Sequence, residues 1–395
     1  MKEDPLKLHE AIVGSEKIKE LRALALQLQG KKILHINSTA VGGGVAEILT
    51  RLVPLLESLS VAVKWQIIRG GEDFFGVTKA FHNLAHGLEA ELPPRSFSIF
   101  QKTTKWNLQE LPLVEDFIFV HDPQPIGLIA ARNRNAHSKW IWRCHIDVSN
   151  PEKRVWQFLR RRIDRFNAAI FSMPQFAKKL NIPRFIVPPS LDPTSDKNRE
   201  LSQQEIEALL AQFNLPLETP LVVQISRFDP LKDPIGVIEA FRRVRRRIKC
   251  HLVLAGGGAS DDPEGAYVFQ QVLKVAEKDP SISILFLPHD ELVINALQRA
   301  ATVVIQKSLR EGFGLTVTEA LWKKKPVIGS AVGGIPRQII HNVTGILAHS
   351  IEGTARQLER LLLDPDFCQR LGSNGHEFVK ENFLITRLVK DHLLV

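Results

Sequence analysis

Two glutamates eight residues apart, Glu311 and Glu319, enclose a glycine-bearing turn in the segment Glu311-Gly312-Phe313-Gly314-Leu315-Thr316-Val317-Thr318-Glu319. Carboxylates suit sugar hydroxyls, because each accepts hydrogen bonds on two oxygens in a fixed geometry. A helix that starts after Gly314 presents backbone N–H groups, near Leu315 and Thr316, that can hold phosphate oxygens. A second segment, Ser226-Arg227-Phe228-Asp229-Pro230-Leu231-Lys232, offers the guanidinium of Arg227 and the ammonium of Lys232 to a diphosphate. A third, Gly42-Gly43-Gly44, lets backbone amides approach an anion at the positive end of the following helix. A fourth pairs His121 with Asp122, and Arg143-Cys144-His145-Ile146-Asp147 repeats a histidine and an aspartate after the next apolar run. Glycoside hydrolases also use paired carboxylates, but they need neither a glycine-led helix start between the acids nor an Arg and Lys after an earlier strand. Glycines 42–44 lack the G-K-[ST] ending of a P-loop and the spacing of the dinucleotide fingerprint, so an ATPase or a dehydrogenase is not indicated.

These segments need rigid elements behind them. Lys31 to Asn37 (KKILHIN) reads as a strand, and Val45 to Leu59 as a helix with Ile48, Leu49, Leu52, Leu55, Leu56 and Leu59 inward. Further strands are expected at 63–68, 117–121, 139–143, 168–172 and 185–187, with helical stretches between several of them, which predicts a doubly wound first domain. Pro183, Pro188, Pro189 and Pro193, followed by the charged stretch Ser195 to Gln204, read as a linker with a hinge near 188–196. The pattern then restarts, with strands at 221–225, 251–255, 282–286, 302–306 and 326–329 and helices at 234–248, 291–300 and 315–322. The predicted fold class is α/β, with two Rossmann-like doubly wound domains facing across a cleft, at 1–195 and 196–374. A C-terminal helix at 375–395 is placed to cross back onto the first domain. Open parallel sheets bind ligands beyond the carboxyl ends of their strands, and all four segments fall there.

Size and composition fit this organisation. The 395 residues exceed the length, roughly 250 to 300, at which a single core stops growing. A 44% hydrophobic and 24% charged chain is ordinary for a globular protein. No apolar run approaches the ~20 residues of a membrane span, and the N-terminus shows no charged-then-apolar signal, so a cytoplasmic protein without a membrane partner is expected. Cys144, Cys250 and Cys368 show no C-x-x-C spacing and predict neither disulfides nor zinc. The net charge of +9 raises a nucleic-acid reading, whose best support is Arg242 to Arg247. Ile238, Phe241, Val244 and Ile248 recur through that segment at helical spacing, however, which makes the arginines the wet face of an amphipathic helix. With one tyrosine in the chain and no aromatic-rich basic stretch, no nucleic-acid partner is expected.

The longer strings carry a family resemblance. STAVGGGVAEIL, FFGVTKAFHN, FVHDPQP, WIWRCHID, QISRFDPLKD, DDPEG, REGFGLTVTEALWK and AVGGI resemble the retaining two-Rossmann-domain (GT-B) glycosyltransferases, and within them the trehalose synthases that transfer glucose from a nucleotide donor to glucose. Trehalose phosphorylase is similar in the same segments. The resemblance implies a catalytic set of Glu311, His121, Arg227 and Lys232. Glu311 would face the donor sugar, Glu319 the nucleotide ribose, Arg227 and Lys232 the diphosphate, and His121 the transferring glucose. Gly43 and Gly44, with Gly314, Leu315 and Thr316, complete the donor side, while His145, Asp147 and Asp122 line the acceptor side. A nucleoside diphosphate glucose is implied as a substrate rather than a tightly bound cofactor, with glucose or trehalose as the other small-molecule partner. No metal site is expected; Mg2+ is compatible but required by no motif, since the D-x-D spacing Asp364-Pro365-Asp366 reads as a turn between helices. A homodimer is compatible with the sequence. Asp233 stands where a glycine commonly follows the lysine in relatives.

Overall fold

A computed structural model describes residues 4–40, 44–257, 263–287 and 290–395. The chain forms two compact units, Met1–Pro189 with Ile385–Val395, and Ser190–Leu384. Val41, Gly42, Gly43 and Gly258, together with Asp261 and Asp262 of the DDPEG string, lie outside the described residues.

The first unit is a six-stranded parallel sheet built from β1 (Lys32–Asn37), β2 (Ala62–Ile67), β3 (Phe117–His121), β4 (Lys139–Cys144), β5 (Ala168–Phe171) and β6 (Arg184–Ile186). Its order is β2-β1-β3-β4-β5-β6. The sheet is covered on both faces, so its strands read as near-continuous apolar runs. Alternation sorts each strand between two cores. Leu34, Ile36, Ile118, Val120, Trp140, Trp142, Ala169 and Phe171 join one core with Phe74, Phe81, Phe100 and Leu159 from the helices. Ile33, Phe119, Ile141 and Ile170 join the other, with Leu49, Leu52, Leu55 and Leu56 of the helix Gly44–Ser58 and Ile385, Leu388 and Val389 of the helix Ile385–Leu394. The same alternation puts His35, His121 and Arg143 on that second face, toward the last helix.

The second unit repeats the plan with β7 (Leu221–Ile225), β8 (His251–Gly256), β9 (Ile282–Phe286), β10 (Val303–Gln306), β11 (Val327–Ser330) and β12 (Ile346–Ala348), in the order β12-β11-β10-β7-β8-β9. Strand order reverses between β1 and β3 in the first unit and between β7 and β10 in the second. These switch points are where open α/β sheets leave a crevice for ligands.

Three expectations are corrected. The C-terminal region is two helices, Pro365–Asn382 and Ile385–Leu394, with a break at Phe383 and Leu384; the first belongs to the second unit and only the second joins the first unit. The charged stretch after Ser195 is packed into the second unit rather than loose. Asn295 donates to the carbonyls of Asp196 and Arg199, and Ser202 and Glu205 form a capping box that starts the helix Gln203–Leu210. Polarity alone misled, because those side chains cap and bridge. The short edge strand β12 was missed; three residues carry too little periodicity to read. The helix Pro234–Arg245 buries Val237, Ile238, Phe241 and Val244, while Arg243 on its outward side and Arg247 just beyond its end meet Glu352 and Glu359. No helix among the described residues is long and apolar enough to cross a membrane.

Candidate active site

In the second unit the loops after β7 and β10 meet. The Leu309 N–H donates to the Leu231 carbonyl at 2.8 Å, and Gln224 Nε2 donates to the Lys232 carbonyl at 2.8 Å. Lys232 Nζ then donates to both carboxylate oxygens of Glu311, at 2.8 and 2.7 Å. Ser308 Oγ at 2.8 Å and Gln306 Nε2 at 3.3 Å also donate to Glu311 Oε2. With only 7% of its side chain exposed, Glu311 is a nearly buried carboxylate, and such a group requires this set of donors.

The turn that carries Glu311 is held from behind by the loop after β11. A Cβ on Gly333 would lie 1.8 Å from the Glu311 carbonyl oxygen, and φ of +54° already places Gly333 in the left-handed region. A Cβ on Gly334 would lie 2.6 Å from the Phe313 Cα, while the Gly334 N–H donates to the Gly312 carbonyl at 2.7 Å. Gln338 donates to the Phe313 carbonyl and also meets Thr318. Gly314, at φ +83°, turns the chain into the helix Leu315–Trp322, whose start carries no side-chain cap. The amides near Leu315 and Thr316 are thus aimed beyond the strand ends beside Glu311.

Asp233 adopts φ +48° and ψ +52°, the left-handed conformation that glycine would supply. Aspartate is one of the few residues that tolerate it. Its carboxylate also accepts from the Gly236 N–H at 3.0 Å, capping the helix Pro234–Arg245, and meets the Lys307 ammonium. The lysine loop therefore keeps its geometry without the glycine. Arg227, on the same loop, extends outward and donates to Asp229 at 3.1 Å.

Glu319 sits deeper on the helix, buried and paired with Lys197 at 3.0 Å. Behind it, Lys323 Nζ donates to Asn198 Oδ1 at 2.9 Å, Gln298 Oε1 at 2.7 Å and the Glu319 carbonyl at 3.3 Å. Burial pushes the Lys323 ammonium down to about 7, opposed by the nearby Glu319 charge. Lys197, Lys323, Ser308 and Gln306 were not found from the sequence; only the short spacing of Gln306, Ser308 and Glu311 could have pointed to part of this set.

In the first unit the structure brings together His121, His145 and Asp122, and adds two histidines the sequence did not single out, His35 on β1 and His392 on the last helix. His35 Nδ1 lies 3.0 Å from His121 Nε2, and His121 Nδ1 lies 2.9 Å from His145 Nε2. The His35 and His392 rings are 5.9 Å apart, and the His392 Nδ1–H donates to the Leu388 carbonyl at 2.9 Å. Burial holds His35 and His121 well below the usual imidazole range and brings His392 to about 3. Asp122, at φ +62°, accepts from the His145 N–H at 2.7 Å, and burial raises its carboxyl to about 7. Arg143 is buried on the same face and donates to the Val187 carbonyl at 2.6 Å. Asp147 Oδ1 accepts from the Ser149 N–H at 2.8 Å and shapes the loop. Gly44 opens the helix Gly44–Ser58, while Gly43 lies outside the described residues. Among the described residues no group of three His, Cys, Asp or Glu side chains is arranged to hold a metal ion.

Two Rossmann-like units, each with polar side chains collected at its switch point, are the architecture of the GT-B fold. The family patterns "Trehalose synthase, N-terminal domain" and "Glycosyl transferases group 1" match residues 35–178 and 205–378. The chain is 40% identical to the trehalose synthase of Thermococcus litoralis, over 98% of this chain and 95% of that protein. A trehalose phosphorylase of Pleurotus pulmonarius is 27% identical over 87% of this chain and 54% of its own length. Among solved structures, a UDP-forming alpha,alpha-trehalose-phosphate synthase from Burkholderia xenovorans, in complex with glucose-6-phosphate, superposes with a TM-score of 0.71. It shares 17% identity, with 92% of this chain and 99% of that one covered. The chain belongs to the trehalose synthase family of hexosyltransferases.

Two outcomes follow from this geometry. Gly333→Ala should lower kcat/KM by about 100-fold, because the added methyl displaces the turn that carries Glu311 and a misplacement of about 1 Å at a site costs that much. Gly312→Ala, whose methyl would meet nothing within 4 Å, should keep most of the activity in the same assay. The buried histidines carry depressed values in the fold, so below the ordinary 6.5 the unfolded chain binds more protons and stability falls as pH falls. Asp122, raised to about 7, acts in the opposite sense between its ordinary 3.8 and that value. Acid unfolding followed by circular dichroism should become shallower below pH 6.5 in His392→Phe.

Proposed function

We propose that the chain is a retaining glucosyltransferase that joins the glucose of a nucleoside diphosphate glucose to free glucose, forming trehalose. The observation that carries this reading is the Lys232–Glu311 pair at the switch point of the second unit, beside an uncapped helix start. A sugar-binding carboxylate and a phosphate-binding cation held at one point are what a glycosyl diphosphate needs. The likeness to the Thermococcus litoralis trehalose synthase supports the choice of product.

In the reaction the bond from the donor C1 to the diphosphate oxygen breaks, and a bond from C1 to the acceptor hydroxyl oxygen forms on the same face. The acceptor proton ends on the leaving diphosphate. Lys232, Arg227 and the amides near Leu315 and Thr316 stabilise the charge that grows on the leaving group. Glu311 holds donor hydroxyls and Glu319 the ribose. In the first unit His121 belongs to the side of the transferring glucose, and Asp122, His145 and Asp147 to the side of the acceptor.

Purified protein incubated with glucose and UDP-, ADP- or GDP-glucose should yield a nonreducing disaccharide with at least one donor; none with any of the three would overturn the reading. Trehalose cleavage should require a nucleoside diphosphate, and a requirement for inorganic phosphate would indicate a phosphorylase instead. Glu311→Ala should abolish transfer with the nucleotide still bound, and Glu319→Ala should chiefly weaken nucleotide binding.

A further inference from the structure

Both ring nitrogens of His121 are occupied by other histidines. Two imidazole nitrogens share a hydrogen bond only when one carries the proton and the other offers its lone pair, so a neutral row of three rings has two possible directions. In the outward direction, His35 Nδ1–H donates to His121 Nε2, His121 Nδ1–H donates to His145 Nε2, and His145 is left with N–H at Nδ1. In the inward direction, His145 Nε2–H and His121 Nε2–H donate toward the core, and the last proton sits on His35 Nε2.

His35 Nε2 decides between them. It is buried without a hydrogen-bond partner, in a slot where the ring stacks on Phe119 at 4.8 Å and faces His392 at 5.9 Å. The inward row would leave an orphaned N–H there, whereas the outward row leaves a bare lone pair. Orphaned buried N–H groups are the rarer in native proteins. A charged ring within the row is opposed by burial and by the Arg143 guanidinium, which acts on both His121 and His145. His145 is the partly exposed member, and Asp122 fixes its backbone N–H at 2.7 Å.

We infer that the row runs outward: His35 and His121 are positioning residues that hold His145 as the Nδ1–H tautomer, and His145, rather than His121, offers a hydrogen-bond donor to the acceptor sugar. The tautomer is independent of the transferase reading above, while the sugar contact rests on it. The row places no free nitrogen of His121 at the sugar, so the donor that selects the acceptor is an N–H meeting a hydroxyl oxygen.

The test is nitrogen NMR on the whole chain labelled at its 13 histidines, with the row assigned by substitution. His35 and His121 should each show a protonated Nδ1 and a bare Nε2, and His145 a protonated Nδ1. A proton on Nε2 of His121 or His35 overturns the inference, whatever the activity. His35→Leu, which fills the slot without a donor, should raise the acceptor KM by roughly tenfold, the loss of about one hydrogen bond, with a smaller change in kcat. His35→Asn keeps an amide N–H where Nδ1 stands and should restore both the KM and the His121 signature. Equal behaviour of the two variants would show that the His35 proton does not position the row. The outward tautomers in a protein that makes no trehalose from any donor would refute the proposed reaction and leave the row intact.

Discussion

A nearly buried carboxylate must be matched by donors, and in this chain Glu311 is matched by one ammonium, one hydroxyl and one amide. Much of the second unit follows from that requirement. The loop after β7 bends so that Lys232 reaches it, at the cost of a left-handed Asp233. The loop after β11 comes within a distance only glycine permits, so that the turn at Gly312 and Gly314 cannot drift. Because the acid and the cation neutralise each other in the free protein, neither is left as an uncompensated charge. A glycosyl diphosphate would replace that pairing on both sides, giving the cation a phosphate and the acid a sugar.

The first unit solves a different problem. One face of its sheet carries His35, His121 and Arg143, and the last helix covers that face with apolar residues and His392. Coverage by a helix removes water, and removal of water keeps the imidazoles neutral. Neutral imidazoles are both donor and acceptor, so a row of them can be satisfied internally while its outer member still offers a directed group. The break at Phe383 and Leu384 allows one chain end to serve both units, since the helix before it belongs to the second and the helix after it to the first.

Eleven of the twelve strands among the described residues were legible as apolar runs, because sheets buried on both faces leave continuous hydrophobic stretches. The residues around Glu311 and Lys232 were legible as types at loop positions, since strand ends at a switch point are where chemistry collects. Their partners were not. Lys197 lies in a stretch that looked like a linker, and Lys323 looks like a solvated lysine at a helix end until the fold buries it under Asn198 and Gln298. His35 sits in an apolar strand and His392 in a terminal helix, so only strand register and helix packing bring them to His121. Burial is a property of tertiary packing, and these roles follow from it.

The claim on which the site depends is that Glu311 holds Lys232 until a diphosphate takes it. Calorimetric titration of UDP, ADP and GDP into the wild type, Glu311→Gln, Lys232→Met and the double variant reads this directly. Releasing the ammonium in Glu311→Gln should tighten nucleoside diphosphate binding by roughly tenfold, and the gain should vanish when Lys232 is methionine. Unchanged or weaker binding by Glu311→Gln, the same with or without Lys232, would contradict the account.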